Sequence, residues 1–279
     1  MKVIADSGST KTQWVVLDGG EVVLNKTTKG FNPFYYSSDE LEKALFNELQ
    51  HSTDIHLIDE VYFYGAGCSN TGNCAMVENS LKKLFSKAVI HTEHDLTGAA
   101  VALLQDRAGI ACILGTGSNS CMWDGQKVTG HLPSLGWILA DEGSGTYLGK
   151  LLLQKILSGE TEPELTQKFY SAFKLTFEST LHKIYGEPNP NRFFASLSKF
   201  AGENIHFQGC RQTVKQSFYD FIEKQVSKYP DYKNQTVSFT GSVAFVFRDV
   251  LKEVLNELDI QPGIVMKNPM DGLIKYHSK

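Results

Sequence analysis

The stretch VIADSGSTKTQW at residues 3–14 returns in altered form as ACILGTGSNSCMW at residues 111–123. In each, a short apolar run enters a loop made almost wholly of Gly, Ser and Thr, and a run carrying Trp leaves it. Aligning Gly8 with Gly117 also brings Ser9 onto Ser118 and Trp14 onto Trp123. A hairpin signal follows both copies, DGG at 18–20 and DG at 124–125, so each predicts strand, loop, strand, turn and strand. A doubled meander of this kind predicts two lobes built on one plan.

Length agrees, because 279 residues approach the practical limit of a single core. In the first lobe, strands are predicted at 2–5, 12–17, 21–25, 60–67 and 87–92, with helices at 37–50, 73–85 and 96–105. The second lobe restarts with a strand at 110–114, the loop 115–120 and the run 121–128. A mainly helical insertion between about 143 and 230 follows, including 147–157, 164–185 and 213–226. A strand at 236–241, a helix at 242–258, a strand at 263–267 and a helix at 271–277 close the chain. The expected fold is α/β, with each lobe's mixed sheet begun by an antiparallel three-strand meander and flanked by helices. The expected lobes are 1–108 plus about 267–279, and 109–266, with a cleft between them.

Apolar residues at 42% and charged residues at 21% are ordinary for a globular protein. The net charge of -4 and the absence of any block of like charge leave no electrostatic footprint for nucleic acid or an anionic membrane. No apolar run approaches ~18 residues, and KVIA leads directly into a strand, so the cytoplasm is the expected location. The five cysteines, 68, 74, 112, 121 and 210, form no CxxC pair and suit a reducing compartment.

DSGSTKT (6–12) contains a Lys-Thr pair, yet a strand and a hairpin follow it, so the strand-to-helix setting of a Walker A or dinucleotide loop is missing. A Gly-rich turn still offers N–H groups and hydroxyls to phosphate. One such loop is usually only a tight turn. Two, opening similar meanders, suit the phosphates of a nucleoside triphosphate.

These residues carry a resemblance. The chain resembles the actin, heat-shock chaperone and sugar kinase superfamily of ribonuclease H-like ATPases. Within it, the chain is similar to the BadF/BadG/BcrA/BcrD-type ATPases that include N-acetylglucosamine kinase. DSGSTKT looks like the first phosphate loop, GTGSNS (115–120) the second, ADEGSG (140–145) the family's GDEGS segment, and TGSVA (240–244) the adenosine loop. One departure is Ala140, where the family commonly has Gly.

The resemblance implies ATP and Mg²⁺, with Asp6 holding the metal directly or through water; an Asx turn is the plainer role for that residue. It implies ATP contacts at Ser9, Thr10, Lys11, Thr116 and Gly117, and adenosine contacts at Gly241 and Ser242. Asp95, between a strand and a helix, is an N-cap by position and the general base by resemblance. Asn32 in GFNPF, Ser118, Asn119, Gly136 and Asp141 are the implied sugar contacts, with Asp141 the second candidate for the base after Asp95. A homodimer is implied on the same ground. HTEHD (91–95) holds several metal-ligand types, but in a strand His91 and Glu93 share a face that His94 does not, which argues against one zinc site.

The function expected is an ATP-dependent amino-sugar kinase acting on N-acetylglucosamine at its 6-hydroxyl. An iron–sulfur ATPase activator and a sugar or ATP sensor are the alternatives. The activator needs cluster thiolates, and Cys112 and Cys121, expected to face each other across the second hairpin, read better as packing.

Overall fold

Val3, Ile4 and Ala5 are consecutive and all buried, the mark of a strand covered on both faces. They lie in β1 (Lys2–Ser7), which pairs antiparallel with β2 (Lys11–Asp18), itself paired with β3 (Glu21–Lys29). On its other edge β1 runs parallel to β4 (Glu60–Gly65), and β4 to β5 (Val89–His94). The structure, a computed structural model, describes residues 1–8, 10–49 and 55–279. It divides into one unit of Met1–Asp106 with Pro269–Lys279 and a second of Arg107–Asn268.

In the first unit, α1 (Ser38–Leu49) and α2 (Thr71–Leu84) cover one face of the sheet. Leu41, Leu45 and Leu49 recur at one-turn spacing and meet Val3, Ala5, Trp14 and Phe63 in a single core. Burying a side chain such as Phe63 contributes about 2–3 kcal/mol. Trp14 is 1% exposed and its indole N–H donates to Thr28 Oγ1 at 2.9 Å, so the Trp of the first loop is a core residue with its one donor satisfied. The opposite face carries α3 (Asp95–Leu104) and the C-terminal helix Met270–His277. These two helices touch backbone to backbone: a Cβ on Gly272 would lie 2.3 Å from the carbonyl oxygen of Ala102.

The second unit repeats the plan with β6 (Gly109–Leu114), β7 (Ser118–Trp123) and β8 (Val128–His131) as its meander. Helices α4 (Gly136–Leu139), α5 (Gly145–Leu157), α6 (Pro163–Phe173), α7 (Phe177–Tyr185), α8 (Pro190–Glu203) and α9 (Gln208–Lys224) follow. Then come β9 (Val237–Thr240), α10 (Ser242–Val246), α11 (Arg248–Glu257) and β10 (Pro262–Met266). The sheets have the orders β3-β2-β1-β4-β5 and, read from the matching edge, β8-β7-β6-β9-β10. The duplicated loop is thus the visible trace of a duplicated topology.

Several local expectations are corrected. The helix expected over 164–185 breaks at Lys174, whose φ of 53° ends α6, and a reciprocal capping box between Thr176 and Ser179 starts α7. The one expected over 242–258 divides at Phe247. The second loop is shorter than expected, since β7 already begins at Ser118. Register places Cys112 opposite Ser120 and Cys121 opposite Ala111, so these thiols point to opposite faces of the sheet instead of toward each other. No helix among the described residues is long and apolar enough to cross a membrane.

Candidate active site

Register aligns three parallel strand ends in the first unit: Ser7 opposes Gly65, and Gly65 opposes His94. Ligands of open α/β sheets gather beyond such carboxyl ends. Asp6 stands one residue before the end of β1, and Asp95 follows β5 as the first residue of α3. Both are half-buried. Burial, then the charge of Asp95, pushes the Asp6 carboxyl up to about 7, with Lys11 pulling the other way. Burial also raises Asp95, while His94 and the Leu96 N–H favour its ionised form. The charge of Asp95 thus disfavours an ionised Asp6, and Lys11 offsets this only in part.

The first loop is closed by Gly8 N–H donating to the Lys11 carbonyl at 2.9 Å, with Thr10 and Lys11 both exposed. Ser9 lies outside the described residues. Beneath the loop, Ser7 Oγ and Thr12 Oγ1 are 2.7 Å apart and buried, and the Phe31 N–H reaches both hydroxyls. This network ties the loop to the segment carrying Asn32, which is 7% exposed and accepts from the Phe34 N–H at 3.0 Å. Gly67 packs on the Asn32 side chain, where an added Cβ would fall 2.3 Å from Oδ1. Asn73 Nδ2 donates to the Gly67 carbonyl at 2.7 Å and fixes that approach.

In the second unit, the start of α5 clamps the second loop: Gly145 N–H donates to Gly115 O at 2.8 Å, and Thr146 Oγ1 to Thr116 O at 2.8 Å. Asp141 adopts φ 64°, a left-handed conformation uncommon outside Gly, which aims its carboxylate at the loop. Oδ2 would be 3.0 Å from a Cβ on Gly117, and the Ser118 N–H donates to the carboxylate. Burial raises Asp141 and Glu142 adds to this, whereas the Ser118 bond and Lys150 oppose it. Ser118 Oγ and Glu142 Oε2 are buried and find no hydrogen-bond partner among the described residues. Ala140 takes an extended φ of -150°, so the departure from Gly there costs no left-handed strain.

Gly241 has φ 118°, and a Cβ there would lie 2.2 Å from Leu114 O, which makes the turn into α10 possible only for Gly. Ser242 is exposed as the first residue of α10, and Gly136 opens α4 with φ 74°. Asn119, on β7 opposite Ile113, uses Oδ1 to accept from the Ser120 N–H at 2.9 Å.

The structure therefore brings Asp6, Lys11 and Asp95 together in one unit, and Gly117, Ser118 and Asp141 in the other. Sequence reasoning weighed His94 only as a metal ligand and did not single out Gly67 or Lys150. The strand expected over 60–67 stops at Gly65, which leaves Gly67 in the turn that follows, with the glycine itself as the available signal. Lys150 Nζ donates to Trp137 O at 2.5 Å from one helix to another, a pairing with no signature in sequence.

No protein-family model matches the chain. A crystal structure from Porphyromonas gingivalis, provisionally named an N-acetylglucosamine kinase, is 38% identical with a TM-score of 0.94, covering 100% of this chain and 99% of that one. A second provisionally named N-acetylglucosamine kinase, from Chromobacterium violaceum, shares the fold at 16% identity and TM-score 0.64, over 99% of this chain and 98% of that chain. The N-acetyl-D-glucosamine kinase of Dictyostelium discoideum is 25% identical over 221 residues, 71% of this chain and 69% of that protein.

Fold and relatives define an ATP-dependent sugar kinase of the actin-like ATPase architecture. The chain belongs to the N-acetylglucosamine kinase family.

Proposed function

We propose that this chain transfers the γ-phosphoryl group of ATP to the 6-hydroxyl of N-acetylglucosamine, as a BadF/BadG/BcrA/BcrD-type member of the superfamily. The convergence of Asp6 and Asp95 at the carboxyl edge of the first sheet carries the reading. Asp95 accepts the hydroxyl proton as the sugar oxygen bonds to phosphorus and the bond from phosphorus to the β,γ-bridging oxygen breaks, giving a sugar 6-phosphate and ADP. Burial makes Asp95 a stronger base than an exposed carboxylate, while the contacts from His94 and Leu96 pull toward its ionised form.

Thr10, Lys11 and Ser9 are the phosphate contacts of the first loop, Thr116 and Gly117 those of the second, and Gly241 and Ser242 lie by the adenosine. Asn32, Ser118, Asn119, Gly136 and Asp141 take the sugar. The orphaned Ser118 hydroxyl beside Asp141 supports that role.

Magnesium fits Asp6. No group of three metal-ligating side chains exists among the described residues, and a single carboxylate with nucleotide phosphates is the usual way this ion is held. When bound, it supplies charge neutralisation on the phosphates and relieves the repulsion between the two carboxyls.

The test is ADP release with MgATP across N-acetylglucosamine, glucosamine, N-acetylmannosamine, N-acetylmuramic acid and plain hexoses, with phosphorus NMR on the product. N-acetylglucosamine should give the highest kcat/KM and a 6-phosphate. Release unstimulated by any sugar would remove the kinase reading; a phosphate on another hydroxyl would remove the regiochemistry.

A further inference from the structure

The motif HTEHD ends in two residues that touch each other. Nδ1 of His94 lies 3.1 Å from Oδ1 of Asp95 and 3.2 Å from the backbone nitrogen of Leu96. One ring nitrogen cannot serve both neighbours at once: toward the Leu96 N–H it must accept, and toward a carboxylate oxygen it must donate.

An accepting Nδ1 would make His94 the N-cap of α3 and nothing more. Its lone pair would then face a carboxylate lone pair at 3.1 Å with no proton between them, a repulsive contact. Histidine is also not among the favoured capping residues. The Leu96 N–H has a second acceptor in the Asp95 carboxylate itself, so the first turn stays satisfied when Nδ1 carries the proton. A donating Nδ1 relieves the lone-pair contact with the carboxylate and leaves the Leu96 N–H to the Asp95 carboxylate in place of the ring. The contact is also only about a quarter exposed, 25% for His94 and 26% for Asp95, where a charge-assisted hydrogen bond is stronger than in water.

We infer that His94 is a positioning residue for phosphoryl transfer, its Nδ1–H holding Oδ1 of Asp95 so that the second carboxylate oxygen is the one left to receive the sugar proton. The inference rests on Asp95 being the base. It is specific to this pair: Asp6 reaches Asp95 through charge, and neither Asp6 nor Lys11 replaces the imidazole contact.

The experiment compares His94→Ser, which keeps a capping oxygen, with His94→Ala, which does not, and with His94→Asn, which offers both a capping oxygen and an amide N–H. Each full-length variant is assayed for ADP release at saturating MgATP over a range of N-acetylglucosamine, beside a thermal melt. Positioning predicts that kcat falls by about tenfold or more in both Ser and Ala while the sugar KM stays within about twofold. The Ser variant should melt like the wild type, and Asn should recover part of kcat. Wild-type kcat in the Ser variant would reduce His94 to a cap and overturn the inference, as would a change confined to KM. Wild-type protein without sugar-dependent ADP release would instead overturn the kinase reading, and the inference with it.

Discussion

Gly67 lies so close to Asn32 that a methyl group on Gly67 would fall 2.3 Å from the Asn32 side-chain oxygen. Its φ of 86° also disfavours any side chain. Gly67→Ala should therefore displace Asn32 and raise the KM for N-acetylglucosamine by about tenfold or more, with a smaller change in kcat. Steady-state kinetics check this, and Asn32→Ala should move KM in the same direction.

Asp95→Asn preserves shape and removes the proton acceptor. The kcat should fall by roughly 10²–10⁴-fold. Calorimetric titration with ATP should give wild-type affinity, since the substitution leaves the phosphate loops intact.

Asp6→Asn separates function from stability. Burial and the charge of Asp95 both disfavour an ionised Asp6, so with EDTA at pH 8, above its pKa of about 7, the amide should raise the melting temperature by a few degrees. The same variant should lose most turnover and need far more Mg²⁺ for what remains, as a metal titration would read.

Where α5 meets α8 the backbones touch directly. A Cβ on Gly149 would sit 1.9 Å from the carbonyl oxygen of Phe194, a backbone atom that cannot rotate away. Gly149→Ala should cost about 2–3 kcal/mol in chemical denaturation. The core it disturbs includes Leu148, Leu152, Phe194 and Leu197.

His277 governs acid sensitivity. Burial, followed by Lys2, lowers its pKa from 6.5 to about 4, against a raising pull from Glu60 and a minor lowering from His91. Its ring sits 2.9 Å from the Tyr64 hydroxyl and packs tilted against Tyr62. The folded pKa is depressed, so the unfolded chain binds the proton more readily between these two values. Stability from this group is intact above pH 6.5 and lost as pH falls toward 4, by on the order of 2–3 kcal/mol. His277→Gln should flatten that part of the pH–stability curve.

Much of this was legible beforehand, for local reasons. The repeated strand–loop–strand pattern depends on alternation, glycines and DG turns, all short-range, and it carried both meanders and the sheet edges they begin. The places of Asp6, one residue before the end of β1, and Asp95, just after β5, were legible from the strand pattern, whereas the roles proposed for them came from the resemblance. The break at Lys174 was not, since KFYSAFKLTFEST keeps helical spacing through the kink. Nor was the offset of Cys112 from Cys121, because a three-residue loop shifts the register by amounts that composition does not reveal.

The sequence by itself determined the two meanders, the order of most elements and the residue types at the strand ends, because periodicity and turn chemistry act between near neighbours. Tertiary structure alone decided which groups meet: Gly67 with Asn32, Ser118 with Asp141, Tyr64 with His277, and Lys150 with Trp137. It also decided which carboxyls are perturbed, since desolvation and the charge of a partner depend on packing between residues far apart in the chain.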